Sequence, residues 1–184
     1  MIVSLATIIP QATIGAGTDT LVGFKNLTGS AFDDVLTGSL RPNTLNGLDG
    51  NDQLSGGSGN DILIGGNGDD TVMGGAGIDT LTGGAGADVF ALGAAFAANA
   101  DTITDFEHGV DKLRISSAVL PAGTLSPSNL VFGTAATDPH AEFVYNAAAH
   151  TLSWDPDGTG LTPIVAVVIF NTAVTLTASD FVIV

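Results

Sequence analysis

Between Gly29 and Ala91 the chain reads GSAFDDVLT, GSLRPNTLN, GLDGNDQLS, GGSGNDILI, GGNGDDTVM, GGAGIDTLT and GGAGADVFA, seven nine-residue units in unbroken register. Position one is always glycine (Gly29, Gly38, Gly47, Gly56, Gly65, Gly74, Gly83), and position six reads Asp34, Asn43, Asp52, Asp61, Asp70, Asp79 and Asp88. Position eight is apolar throughout: Leu36, Leu45, Leu54, Leu63, Val72, Leu81 and Phe90. Working outward, a diverged unit, IGAGTDTLV, fits residues 14–22 behind a six-residue insert, GFKNLT. A nine-residue period is too short for a helix pair or a propeller blade.

Glycines at positions one, two and four are expected to open φ > 0 conformations, so the first six residues of each unit form a tight turn that presents carbonyls. The last three residues form a short strand with position eight pointing inward. Two units then make one coil of an all-β, parallel β-roll, a two-sided β-solenoid with strands stacked about 4.8 Å apart. The organisation that follows is a lead-in strand and diverged repeat over 1–28, the β-roll over 29–91, and a C-terminal β-rich cap over 92–184.

In such a coil, units two apart lie above one another and their position-six carboxylates stack. From Gly47 to Ala91 there are seven aspartates (Asp49, Asp52, Asp61, Asp69, Asp70, Asp79, Asp88) and no Lys, Arg or His, so the columns repel unless a cation sits between the turns. Glycine-rich backbone offers carbonyl oxygens and aspartate offers carboxylate oxygens, the donor set of calcium. Magnesium demands stricter octahedral geometry, and zinc prefers His or Cys. Two competing readings are aspartates that only cap turns, and an acidic surface of the halophile kind. Capping accepts Asn or Ser equally, and a halophilic surface has no reason to phase one acid.

GGSGNDILI, GGNGDDTVM, GGAGIDTLT and GGAGADVFA match the pattern GGxGxDxUx at every defined position. Residues 14–91 resemble the repeats-in-toxin (RTX, haemolysin-type) family of calcium-binding repeats, and VGFKNLTGSAFDDVLTG looks like the usual lead-in to such an array. The resemblance implies that position-six aspartates bridge ions while carbonyls of positions one to four complete each shell. Carried onto this chain, the ligands are Gly47, Asp49, Gly50 and Asp52 in one turn and Gly56, Gly57, Ser58, Gly59 and Asp61 in the next. They continue with Gly65, Gly66, Asn67, Gly68 and Asp70, then Gly74, Gly75, Ala76, Gly77 and Asp79, then Gly83, Gly84, Ala85, Gly86 and Asp88. Three intervals follow: the Gly47 turn against the Gly65 turn, Gly65 against Gly83, and Gly56 against Gly74. The GSAFDD turn has Phe32 where glycine is wanted, and GSLRPN has Arg41, Pro42 and Asn43, so both are read as coils with weak or absent metal. About three to five calcium ions are expected.

Beyond Ala91, DTITDF (101–106), DKLRIS (111–116), EFVYN (142–146), TLSWD (151–155), IVAVVIF (164–170) and DFVIV (180–184) read as strands, with a helical turn near residues 91–100. These strands should cover the open end of the roll. The stretches ADTITDF, DKLRI, LSWDPDGTG and LTASDFVIV resemble the C-terminal region of serralysin-like exported proteins. That resemblance implies an uncleaved type I secretion signal in Asp180, Phe181, Val182, Ile183 and Val184, which also reads as an ordinary terminal strand. Asp155, Asp157, Gly158 and Gly160 look like part of a calcium loop, but with no closing glutamate the turn-forming reading is preferred.

The chain has 184 residues, 19 acidic against 4 basic side chains and a formal charge of −15, a balance that argues against nucleic acid as a partner. Aspartate outnumbers glutamate 17 to 2, and 45% hydrophobic residues speak against acidic disorder. There is no cysteine, hence neither disulfide nor thiolate zinc site. The aliphatic run from Ile164 to Phe170 is far short of the roughly 20 residues of a membrane-spanning helix, and the N-terminus lacks the basic start of a cleaved signal. His108, His140 and His150 show no HExxH spacing and no GxSxG is present, so no catalytic set is encoded. Asn26, Leu27 and Thr28 form a glycosylation sequon read as accidental. The expected function is a secreted, extracellular, non-catalytic calcium-binding module that meets the type I secretion apparatus during export and folds on calcium binding. The alternatives are the tail of a larger exported protease, lipase or polysaccharide-modifying enzyme, and a surface-layer or adhesion protein that self-associates or contacts cells.

Overall fold

A computed structural model describes residues 2–5, 11–13, 17–19, 24–92, 100–116, 130–135, 142–158 and 163–184. The repeat strands are β5 (Val35–Ser39), β6 (Thr44–Asp49), β7 (Gln53–Ser58), β8 (Ile62–Asn67), β9 (Thr71–Ala76), β10 (Thr80–Ala85) and β11 (Val89–Ala91). They are preceded by β1 (Ile2–Ser4), β2 (Gln11–Thr13), β3 (Gly17–Asp19) and β4 (Asn26–Thr28). They are followed by β12 (Asp101–Ile103), β13 (Lys112–Ile115), β14 (Leu130–Phe132), β15 (Glu142–Asn146), β16 (Thr151–Asp155), β17 (Val165–Phe170) and β18 (Phe181–Ile183).

Repeat strands alternate between two sheets, ordered β1-β5-β7-β9-β11-β13-β18 and β14-β15-β16-β17-β12-β10-β8-β6-β4. Within each sheet the repeats pair in parallel, eighteen residues apart, as in Leu45↔Leu63 and Leu63↔Leu81. This is the two-sided β-roll expected from the period. All seven position-eight side chains are buried in one interior row, and each apolar side chain there is worth roughly 1.5–3 kcal/mol of burial.

The strands are longer than expected. β8 runs through Gly65, Gly66 and Asn67, so positions one to three of the next unit remain extended and the turn proper is positions four to six. In the five units from Gly47 onward, positions two and four do adopt φ > 0, as at Gly66 (φ 125) and Gly68 (φ 125). Position-one glycines do not, and their role is a close approach: a Cβ on Gly65 would strike its own Asp70 carboxylate and come within 2.5 Å of the Gly83 carbonyl oxygen. In the diverged unit at 14–22, Gly17–Asp19 pairs antiparallel with Gln11–Thr13 in a separate two-stranded sheet instead of stacking on the repeats.

Both sheets run past Ala91. β12 stacks on β10 and β13 on β11, each in parallel, and β17 and β18 add to them in parallel. The cap is therefore built from further strands of the same two sheets, with β15, β16 and β17 forming an antiparallel meander. The interior row passes into an aromatic cluster, with Phe106 6.1 Å from Phe90 and 5.4 Å from Phe170, and Phe143 4.7 Å from Trp154. The helical turn expected near 91–100 falls largely outside the described residues.

Candidate metal centre

The turns place the position-six side chains in two buried columns, Asp34-Asp52-Asp70-Asp88 and Asn43-Asp61-Asp79, none more than 4% exposed. In the first column each Oδ1 after the first is held by the position-six N–H one coil earlier: Asp34 N donates to Asp52 (2.7 Å), Asp52 N to Asp70 (2.7 Å) and Asp70 N to Asp88 (2.9 Å). In the other column Asn43 N donates to Asp61 (2.8 Å) and Asp61 N to Asp79 (2.8 Å). The turn pairs 47/65, 65/83 and 56/74 thus bring their aspartates into the register expected from the period.

The other oxygen behaves differently. Oδ2 of Asp52, Asp61, Asp70, Asp79 and Asp88 is buried without a hydrogen-bond partner. A buried orphan acceptor costs about 1–3 kcal/mol, more when charged. Burial pushes all five carboxyls above the ordinary carboxylate value, Asp70 to about 7 and Asp88 to about 6, and in all but Asp79 neighbouring carboxylates push the same way. Each orphan oxygen lies in the space that a Cβ on its own position-one glycine would occupy. In three of these five turns, as also at Gly29 and Gly38, the next coil's position-one carbonyl reaches the same space, Gly65 O lying 2.6 Å from such a Cβ at Gly47, Gly74 O 2.5 Å from one at Gly56 and Gly83 O 2.5 Å from one at Gly65.

Hard oxygen donors, anionic and carbonyl, converging on a space left by a missing side chain fit calcium. Among the described residues no three His, Asp or Glu side chains form a metal cluster by themselves, so a cation here draws on backbone carbonyls as well. The Asp49 and Asn67 side chains stay outside the columns, exposed and bonded to each other (Asn67 Nδ2 to Asp49 Oδ1, 2.7 Å).

Residues 28–63 and 64–95 match the family of the RTX calcium-binding nonapeptide repeat. This segment belongs to the RTX repeat family. RTX repeats are a calcium-binding, non-catalytic type of module. No curated protein matches the chain. Among solved structures, the solution structure of the AlgE6R3 subunit from the Azotobacter vinelandii mannuronan C5-epimerase is similar, 27% identical over 89% of this chain and 85% of that chain, with a TM-score of 0.33. Among the described residues no helix is long and apolar enough to cross a membrane.

Both columns extend beyond the RTX repeats to residues the period did not reach. Asp79 N donates to Asp101 Oδ1 (2.9 Å) and Asp88 N to Asp111 Oδ1 (3.0 Å). Burial raises both carboxyls, Asp101 to about 7. The signal was present in Asp101-Thr102-Ile103 and Asp111-Lys112-Leu113, which repeat positions six to eight after an interruption. Asp105 caps the last coil, accepting from Gly83 N (3.0 Å) and Gly84 N (2.8 Å). A polar ladder at position five was also missed: Asn51 N donates to Asp33, Asp69 N to Asn51 and Ala87 N to Asp69.

Asp155 Oδ1 accepts from Asp157 N (3.2 Å) and Gly158 N (2.9 Å), the geometry of a turn-forming aspartate. Gly160 lies outside the described residues. Asp180 is fully buried, receiving bonds from Thr177 N (2.6 Å), Gly109 N (3.1 Å) and Thr177 Oγ1 (3.0 Å) and contacting His108 Nδ1 (2.9 Å).

Proposed function

We propose that this chain is a non-catalytic calcium-binding module that becomes compact outside the cell, after export through a type I secretion apparatus. The observation that carries the calcium part is the set of buried, unbonded Oδ2 atoms of Asp52, Asp61, Asp70, Asp79 and Asp88, the first three of them sharing their space with a carbonyl of the next coil. Bound calcium would supply positive charge and coordination to those oxygens, with Asp52, Asp61, Asp70, Asp79, Asp88 and the position-one to position-four carbonyls as its ligands. Extracellular modules bind calcium with Kd of about 10⁻⁴–10⁻³ M. Four sites filled at ten times Kd contribute ~6 kcal/mol, comparable with the stability of a whole domain. At the far lower calcium of a cytoplasm the columns repel and the chain stays threadable. The stretch Asp180-Phe181-Val182-Ile183-Val184 supports the export part, as an acidic residue followed by apolar ones.

Far-ultraviolet circular dichroism with calcium and with chelator tests the folding step. The β signal is expected to appear with calcium, and a chelated chain that keeps the full signal refutes it.

A further inference from the structure

Resting on the calcium reading, we propose that the backbone at position two of each turn decides whether that turn takes a cation, and that Ser30, Ser39 and Glu107 replace the cation at three ends of the two columns.

Eight turns place an Asp or Asn at position six with its neighbours described, and they fall into two groups. In five of them position two has φ > 0: Leu48 (85), Gly57 (100), Gly66 (125), Gly75 (108) and Gly84 (107). Their position-six residues are Asp52, Asp61, Asp70, Asp79 and Asp88, the five with an orphan Oδ2. In the other three, position two is Ser30, Ser39 or Glu107, with φ outside that region. There the position-two N–H turns onto the position-six side chain four residues on: Ser30 N to Asp34 Oδ2 (2.5 Å), Ser39 N to Asn43 Oδ1 (2.7 Å) and Glu107 N to Asp111 Oδ2 (2.7 Å). The two serines add a second donor to the same oxygen, Ser30 Oγ at 3.0 Å and Ser39 Oγ at 2.9 Å.

The physical cause is the orientation of one peptide unit. With φ < 0 at position two, its N–H faces the carboxylate and closes it. With φ > 0 the N–H turns away, and the carboxylate oxygen needs another positive partner. Leu48 shows that the backbone, not glycine as such, carries the effect, since a leucine in the left-handed region costs about 1–2 kcal/mol and still leaves Asp52 Oδ2 unbonded. The turns with a built-in position-two donor lie at both N-terminal column ends and at one C-terminal end, and so bound the stack of turns whose Oδ2 is open.

Calcium stoichiometry of the full chain, measured by titration calorimetry with calcium alone, tests this. Asp34→Asn is expected to keep the wild-type count and Asp52→Asn to lose at least one ion. Ser30→Gly combined with Phe32→Gly, which frees positions two and four of the first turn, should gain one ion. Phe32 is 77% exposed, so its loss removes no core packing. Circular dichroism in saturating calcium verifies that each variant is folded. Equal losses in Asp34→Asn and Asp52→Asn, or no gain in the glycine variant, overturn the inference. A wild-type chain that binds no calcium refutes the calcium reading itself, a result distinct from either.

Discussion

Asp70→Asn should stabilise the calcium-free chain and blunt its stabilisation by calcium. Asp70 sits mid-column, its Oδ1 bonded by Asp52 N and its own N–H bonded to Asp88 Oδ1, while its Oδ2 is an orphan. Burial raises its carboxyl from 3.8 to about 7 in the folded chain. A raised carboxylate opposes folding: the penalty is absent below the unfolded value, grows as pH rises between the two, and is complete above the folded one. Ionising Asp70 inside the column therefore costs the metal-free fold roughly 4 kcal/mol at pH 8. Asparagine keeps the Oδ1 acceptor and removes the charge, so the chelated variant should gain up to that amount. With calcium that gain is largely cancelled, because Asp70 faces two intervals, and losing two sites at ten times Kd removes about 3 kcal/mol. Circular dichroism at pH 8 reads both, as the β signal regained in chelator and as the urea midpoint in calcium. A chelated variant with less β signal than wild type, or a calcium response equal to that of wild type, refutes the reasoning.

In chelator, lowering the pH from 8 to 5 should raise the β signal as Asp70, Asp88 and Asp101, raised to about 7, 6 and 7, take up protons in place of calcium; a signal that falls over that range contradicts the burial argument. Gly65→Ala should abolish the folded calcium form, since its Cβ meets both Asp70 and the Gly83 carbonyl, whereas Gly133→Ala meets no atom within 4 Å and should cost about 1–2 kcal/mol of backbone strain, both read by thermal melts. Leu63→Ala empties part of the interior row and should destabilise the calcium form by about 2–5 kcal/mol in urea, with the ion count unchanged.

The strands β5 to β11 and the interior row were legible because an uninterrupted period writes the same turn seven times, and position eight alone stays apolar. The six-residue strand length was not, because Gly-Gly looks like turn chemistry while parallel neighbours on both sides hold it extended. β12 and β13 were legible as strands but not as coils of the roll. Their partners lie 22 and 23 residues earlier, Thr80↔Thr102 and Val89↔Lys112, instead of eighteen, so counting loses phase although Asp-x-apolar persists. The self-closing of Asp34 and Asn43 was half visible: Phe32 and Arg41 marked those turns as poor sites, whereas the serine two residues earlier performs the closing.

The distribution of bonds within each carboxylate decides between a turn cap and a ligand. A cap needs one acceptor, and Asp52, Asp61, Asp70, Asp79 and Asp88 each spend Oδ1 on one N–H of the preceding coil. Asn43 shows that an amide tolerates the position when its one oxygen is closed by Ser39. If capping were the whole role, asparagine or serine would serve in all the interior turns, and the second oxygen of aspartate would bring only desolvation. Instead every turn whose second oxygen has no protein donor carries the acid (Asp52, Asp61, Asp70, Asp79 and Asp88), and the one neutral amide, Asn43, occurs where a donor is built in, as it is also at Asp34 and Asp111. Aspartate is therefore explained by what its Oδ2 leaves open, and a calcium ion is the partner whose charge and oxygen preference match that opening.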